Sequence, residues 1–192
     1  MWLNVGCGSF RAPEPWINLD CHDGDGVNPD EIVDPDRPLA TYPDNRVDRV
    51  YMGHVLEHIP WPDVPAFLAD IHRALRPGGE ICVVGPDILR VLKRWKEDLD
   101  PEGWDLIESI LENPWDRCYG ETGYGLIYEE PRWKHARHWW NCYEARVVFL
   151  FRQHTDFVDV EPQPIHPEQL GSWPLVAYTL HQCAVTARKA AA

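Results

Sequence analysis

Short apolar runs, broken by glycine, proline and aspartate, set the pattern of this chain. Trp2-Leu3-Asn4-Val5 opens it as a predicted strand and breaks at Gly6 and Gly8, two glycines one residue apart. Trp16-Ile17-Asn18-Leu19-Asp20 reads as a second short strand that ends in an acid. Glu31 to Asp34 gives a third and Val47 to Gly53 a fourth. Glu80 to Gly85 is almost wholly apolar, as expected of a parallel strand covered on both faces. Between the fourth and fifth, Val64, Phe67, Leu68, Ile71 and Leu75 recur at i, i+3, i+4, i+7 spacing and predict a helix with one buried face. Pro60-Trp61-Pro62 and Asp63 suit its start, and Leu75-Arg76-Pro77-Gly78-Gly79 its end.

The link between the first two strands is unusual. If they are parallel, a crossover of a dozen or more residues with a helix is the norm. Only residues 6–15 are available, with prolines at 13 and 15. Ten extended residues span about 33 Å, and returning along a five-residue strand needs roughly 17 Å. The connection is feasible with its helix reduced to a turn or absent. A strand that ends in a glycine turn brings bare backbone to the carboxyl edge of the sheet, where open α/β sheets bind ligands. Glycine turn, strand and terminal acid form a nucleoside-binding arrangement, with Asp20 placed to take ribose hydroxyls. The dinucleotide fingerprint G-x-G-x-x-G fails, because Arg11 stands at its third glycine.

At 192 residues one domain is expected. No run of about 18 apolar residues predicts a membrane span, and no basic, then apolar, leader precedes the first strand. The formal charge of −13 argues against a nucleic-acid partner, whose backbone calls for Lys and Arg. The six cysteines are scattered without a C-x-x-C pair, which predicts free thiols and a reducing, cytoplasmic setting.

The turn resembles the first motif of the class I S-adenosylmethionine-dependent methyltransferases, commonly (D/E)-x-G-x-G-x-G. Asn4, Gly6 and Gly8 match in register, with Asn4 in place of the acid and Phe10 in place of the third glycine. The run V-D-R-V-Y-M-G-H-V-L-E-H-I, a helix, L-R-P-G-G and a strand look like the fourth and fifth strands of that family. The small predicted methyltransferases with a shortened first crossover are the nearest likeness. It covers residues 2 to about 87 and resumes at His138 to Val160. The resemblance implies a helix at Tyr143 to His154, a sixth strand at Asp156 to Val160 and an antiparallel seventh from Trp173 to Arg188. It implies a Rossmann-like α/β sheet and S-adenosylmethionine as cofactor, held by Asn4, Gly6, Cys7, Gly8, Asp20, Asp34, Gly53 and His54. Asp34 would face the adenine amino group, and Gly53 with His54 the methionine part.

The expected reaction is methyl transfer to a small-molecule acceptor, a sugar or metabolite hydroxyl being the first choice. The alternative is a non-catalytic, methyltransferase-like binding protein. An acceptor that loses a proton needs a base; His54, His138 and, in reserve, Asp87 are the candidates. Residues 88–140 read as an insertion, with helices at 88–99 and 102–112 and a Gly-, Tyr- and Trp-rich loop, expected to cover the site and select the acceptor. Two metal patterns compete. His54-Val55-Leu56-Glu57-His58 fits H-x-x-E-H, but His54 follows a strand directly, so the two histidines straddle a junction rather than share a helix face. Glu57 and His58 are read as capping residues instead. His135, His138 and Cys142 lack a fourth ligand in spacing. No metal is expected.

Overall fold

A computed structural model describes residues 1–24, 26–87, 89–90, 143–164, 173–174 and 182–191. Seven strands form one sheet: β1 (Trp2–Val5), β2 (Trp16–Asp20), β3 (Glu31–Ile32), β4 (Val47–Gly53), β5 (Leu75–Pro86), β6 (Phe157–Gln163) and β7 (Gln182–Lys189). Their order is β3-β2-β1-β4-β5-β7-β6. The pairs from β3 to β5 are parallel, whereas β7 runs antiparallel to both β5 and β6. Helix α1 (Val64–Ala74) joins β4 to β5, and α2 (Glu144–His154) precedes β6.

Period-2 alternation sorts the strands onto two unlike faces. Leu3, Val5, Leu19, Val50, Met52, Ile81, Val83 and Val185 enter the main core with Val64, Phe67, Leu68 and Ile71 of α1 and Val147, Leu150 and Phe151 of α2. Each large apolar side chain buried there contributes roughly 1.5–3 kcal/mol. The opposite face holds Trp2, Ala12, Trp16, Tyr51, Cys82, Val84, Ala184 and Trp173. Among the described residues no helix lies between β1 and β2, between β2 and β3, or between β3 and β4. Aromatic side chains take over that covering. Trp16 lies 5.3 Å from Trp2 and 5.9 Å from Trp173, and the Arg49 guanidinium sits 3.8 Å over the Trp173 ring while pairing with Glu80 at 3.2 Å.

The helix-free link is stapled down by two buried asparagines. Asn4 Nδ2 donates to Asn18 Oδ1 (2.9 Å) and to Phe10 O (3.3 Å). Asn18 Oδ1 also accepts the Ala12 N–H (2.7 Å), and its Nδ2 donates to Ala12 O (3.1 Å) and Asp30 (3.1 Å).

Strand limits differ from the sequence reading where pairing, not periodicity, decides. β5 begins five residues early because Leu75 already pairs with Val47. β3 stops at Ile32, β6 shifts to Phe157–Gln163, and β7 is seen from Gln182. Trp173 is not strand; Pro174 beside it has no N–H for a ladder. Leu89 and Arg90 are helical, as expected, but the rest of the 88–140 insertion lies outside the described residues. No helix among the described residues is long and apolar enough to cross a membrane.

Candidate functional site

The carboxyl ends of β1, β2 and β4 converge on a cleft of about 230 Å³. Its polar wall is Gly6, Gly8, Asp20, His22, His54 and His58; Val5, Val33, Pro35, Pro38, Val55, Ile59 and Phe67 supply the apolar part. Gly6 and Gly8 take φ of 67° and 52°, the left-handed region in which a Cβ is costly. A Cβ on Gly8 would meet nothing within 4 Å, so the main chain there is open to a ligand.

Asp20 fastens this turn to β2. Its Oδ2 accepts the Gly8 N–H and its Oδ1 the Cys21 N–H, both at 2.8 Å, and His22 Nδ1 approaches Oδ1 at 3.3 Å. Cys7 N–H donates to Leu19 O at 2.9 Å. The carboxylate is 7% exposed and on the cleft wall. Burial, then the charge of Asp20, pushes the Cys7 and Cys21 thiols up to about 11, so neither is a nucleophile near neutral pH. Asp20, Cys21 and His22 do bring three donor atoms within 4.8 Å of one another. A metal there would compete with the N–H groups that Asp20 already accepts.

On the far wall, His54 follows β4 with φ of 58°, its N–H donating to Val84 O at 2.7 Å. This backbone turns the imidazole back over the 3₁₀ turn Leu56–His58. Nδ1 lies 3.1 Å from Oε1 of Glu57, a carboxylate that is fully buried while the ring is 29% exposed. Nε2 contacts the side-chain amide nitrogen of Gln182, the buried first residue of β7.

Of the residues singled out from sequence, Gly6, Gly8, Asp20 and His54 thus meet in one cleft. Asn4 does not line it, being committed to the staple with Asn18. Cys7 is buried within the turn, and Gly53 is buried in the β4–β5 ladder just before His54. Asp34 is exposed and accepts the Asp36 N–H at 2.9 Å, between the cleft residues Val33 and Pro35. Asp87 is 4% exposed and structural. Its Oδ1 accepts the N–H groups of Leu89 (3.0 Å) and Arg90 (3.2 Å), and its Oδ2 pairs with Arg90. That leaves little of it to act as a base. His138 and the cluster His135, His138 and Cys142 lie outside the described residues. Sequence reasoning missed Glu57 as a partner of His54, having read it as a capping residue. It missed Gln182 altogether, a polar residue at the start of β7 that no motif or spacing marks out.

Comparison with known proteins fits this geometry. Residues 26–83, from β3 through most of β5, match the family model described as a methyltransferase domain. A SAM-dependent methyltransferase from Archaeoglobus fulgidus superposes with a TM-score of 0.55 at 15% identity, over 98% of this chain and 85% of that one. One from Methanosarcina mazei gives 0.55 and 15%, over 100% and 92%. The 1,6-didemethyltoxoflavin-N1-methyltransferase of Burkholderia thailandensis, solved with bound 1,6-didemethyltoxoflavin and S-adenosylhomocysteine, gives 0.54 and 14%, over 98% and 70%. No curated protein matches the sequence. The chain has the class I methyltransferase fold. Its sequence is similar to the methyltransferase-domain family over residues 26–83.

Proposed function

We propose that the protein transfers the methyl group of S-adenosylmethionine to a small-molecule acceptor. The observation that carries this reading is the convergence of an open Gly8 backbone, the Asp20 carboxylate and His54 on one cleft at the carboxyl edge of the sheet. The donor set fits the cofactor. Bare backbone admits it, Asp20 offers lone pairs to ribose hydroxyls, and Val33, Pro35 and Pro38 supply an apolar bed for a flat base, with Asp34 at its rim. His54, on the cleft wall just after Gly53, is the residue we assign to the methionine part. The bound cofactor supplies a methyl group on a sulfonium, already a good leaving group, so the protein's task is mainly alignment. The match over residues 26–83 and a neighbour of the same fold that holds S-adenosylhomocysteine support this choice.

For the acceptor we favour a hydroxyl-bearing metabolite or sugar. The charge of −13 disfavours nucleic acid, and an acid–base group at the cleft suits an acceptor that must lose a proton. The test is calorimetry with S-adenosylhomocysteine. Asp20→Ala should lose hydrogen bonds to a charged group, about 1.5–3 kcal/mol or roughly 10- to 150-fold in affinity. Gly8→Leu should close the backbone approach. Parent-like binding by both variants would remove the cofactor from this cleft. Tight binding without methyl transfer to any hydroxylated acceptor would favour the non-catalytic alternative.

A further inference from the structure

We infer that Glu57 and Gln182 are positioning residues that set the proton on His54 and keep its reactive nitrogen covered until an acceptor arrives. The inference rests on the methyl-transfer reading and names the group that takes the acceptor's proton.

Three observations converge on it. His54 is a non-glycine residue at φ of 58°, and strained backbone of this kind persists where the surroundings over-determine it. The strain has an evident result, since it brings Nδ1 within 3.1 Å of a carboxylate with no exposed surface. As a carboxylate Glu57 can only accept, so Nδ1 must be the protonated nitrogen and Nε2 carries the lone pair. The side-chain amide nitrogen of Gln182 can only donate, and it points at that lone pair. The two partners thus demand the same tautomer from opposite sides of the ring. They lie on different elements, and Gln182 is 128 residues away in sequence, so local capping does not account for the pair.

Among the described residues, the charged and titratable groups around the ring are Glu57 and His58 of the 3₁₀ turn, with Asp20 and His22 across the cleft. Among the described residues, Glu57 alone contacts Nδ1 and Gln182 alone contacts Nε2. An acceptor O–H or N–H that displaces the Gln182 amide meets a nitrogen able to take its proton. As the acceptor atom bonds the methyl carbon, its proton passes to Nε2 and sulfur keeps the electron pair of the broken C–S bond. The resulting imidazolium still donates from Nδ1 to Glu57, which stabilises its charge.

Long-range ¹H–¹⁵N NMR of the histidine side chains tests this without an acceptor. In the parent, His54 should appear as the single tautomer protonated at Nδ1. Glu57→Gln keeps the shape but can donate as well as accept, and should give mixed or reversed tautomers. Gln182→Ala should keep the Nδ1-protonated form and expose Nε2, so that diethylpyrocarbonate acylates His54 several-fold faster than in the parent, read by peptide mass mapping. An Nδ1-protonated signal unchanged in Glu57→Gln, an Nε2-protonated parent, or equal acylation rates would each overturn the inference. Should Glu57→Gln fail to fold, the parent spectrum and the Gln182→Ala rates decide. Binding of S-adenosylhomocysteine is measured alongside. Normal binding with the wrong tautomer sinks this inference alone, while loss of binding in the parent sinks the underlying function.

Discussion

Of the two glycines lining the cleft, Gly6 is the more tightly packed. A Cβ built there would lie 2.4 Å from Val55 Cγ2, and the residue sits at φ of 67°. Gly6→Ala therefore carries two penalties, left-handed strain of about 1–2 kcal/mol and a clash against a stiff β-branched side chain of about 1–3 kcal/mol. Denaturant midpoints should show the sum, and adding Val55→Ala should recover the steric part only. No recovery in the double variant would mean that the turn moves as a whole. The importance of Gly6 and Gly8 was legible in the sequence because a glycine's role is carried by its backbone. The pairing of His54 with Glu57 was not. It depends on the positive φ at residue 54, which spacing alone does not encode, so Glu57 read as a capping residue.

At the scale of elements, the described links from β1 to β4 hold no crossover helix, and side chains fasten them. Asn18 binds Asn4, both polar groups of Ala12, and Asp30. Asn18→Ala would leave the Ala12 N–H and carbonyl and the Asn4 amide short of partners in a buried place. At roughly 1–3 kcal/mol for each such group, a loss of about 3 kcal/mol or more is expected in urea unfolding. A loss below about 1 kcal/mol would mean that water replaces the staple. The shortness of residues 6–15 could be argued from chain length alone, and the structure bears it out. The staple could not, since an asparagine in a strand carries no mark of which backbone it will reach. Asn4 aligned with a cofactor acid by motif, yet its amide is used within the sheet.

For the whole molecule, acid should lower stability over two ranges of pH. Burial, and then the nearby charge of Lys189, lower the pKa of His72 below the ordinary 6.5. As pH falls below about 6.5 the unfolded chain takes up a proton that the folded His72 refuses, and stability declines until the lowered value is passed. Asp30 is held down to about 2 from 3.8, first by the Asn18 backbone N–H and then by Arg11. Its contribution is present above about pH 4 and fades toward pH 2; exposure of the carboxylate keeps it modest. Chemical unfolding midpoints between about pH 8 and 2.5 should show both declines. His72→Leu should flatten the upper one only. The two halves of the cleft also differ in how far the chain must travel to make them. Gly8 meets Asp20 across 12 residues, whereas His54 meets Gln182 across 128. Short closures are entropically cheap and fast, long ones slower. During synthesis the Gly8–Asp20 contact can therefore form while β7 is still unmade. A nascent chain would close its glycine turn long before His54 gains the glutamine that covers it.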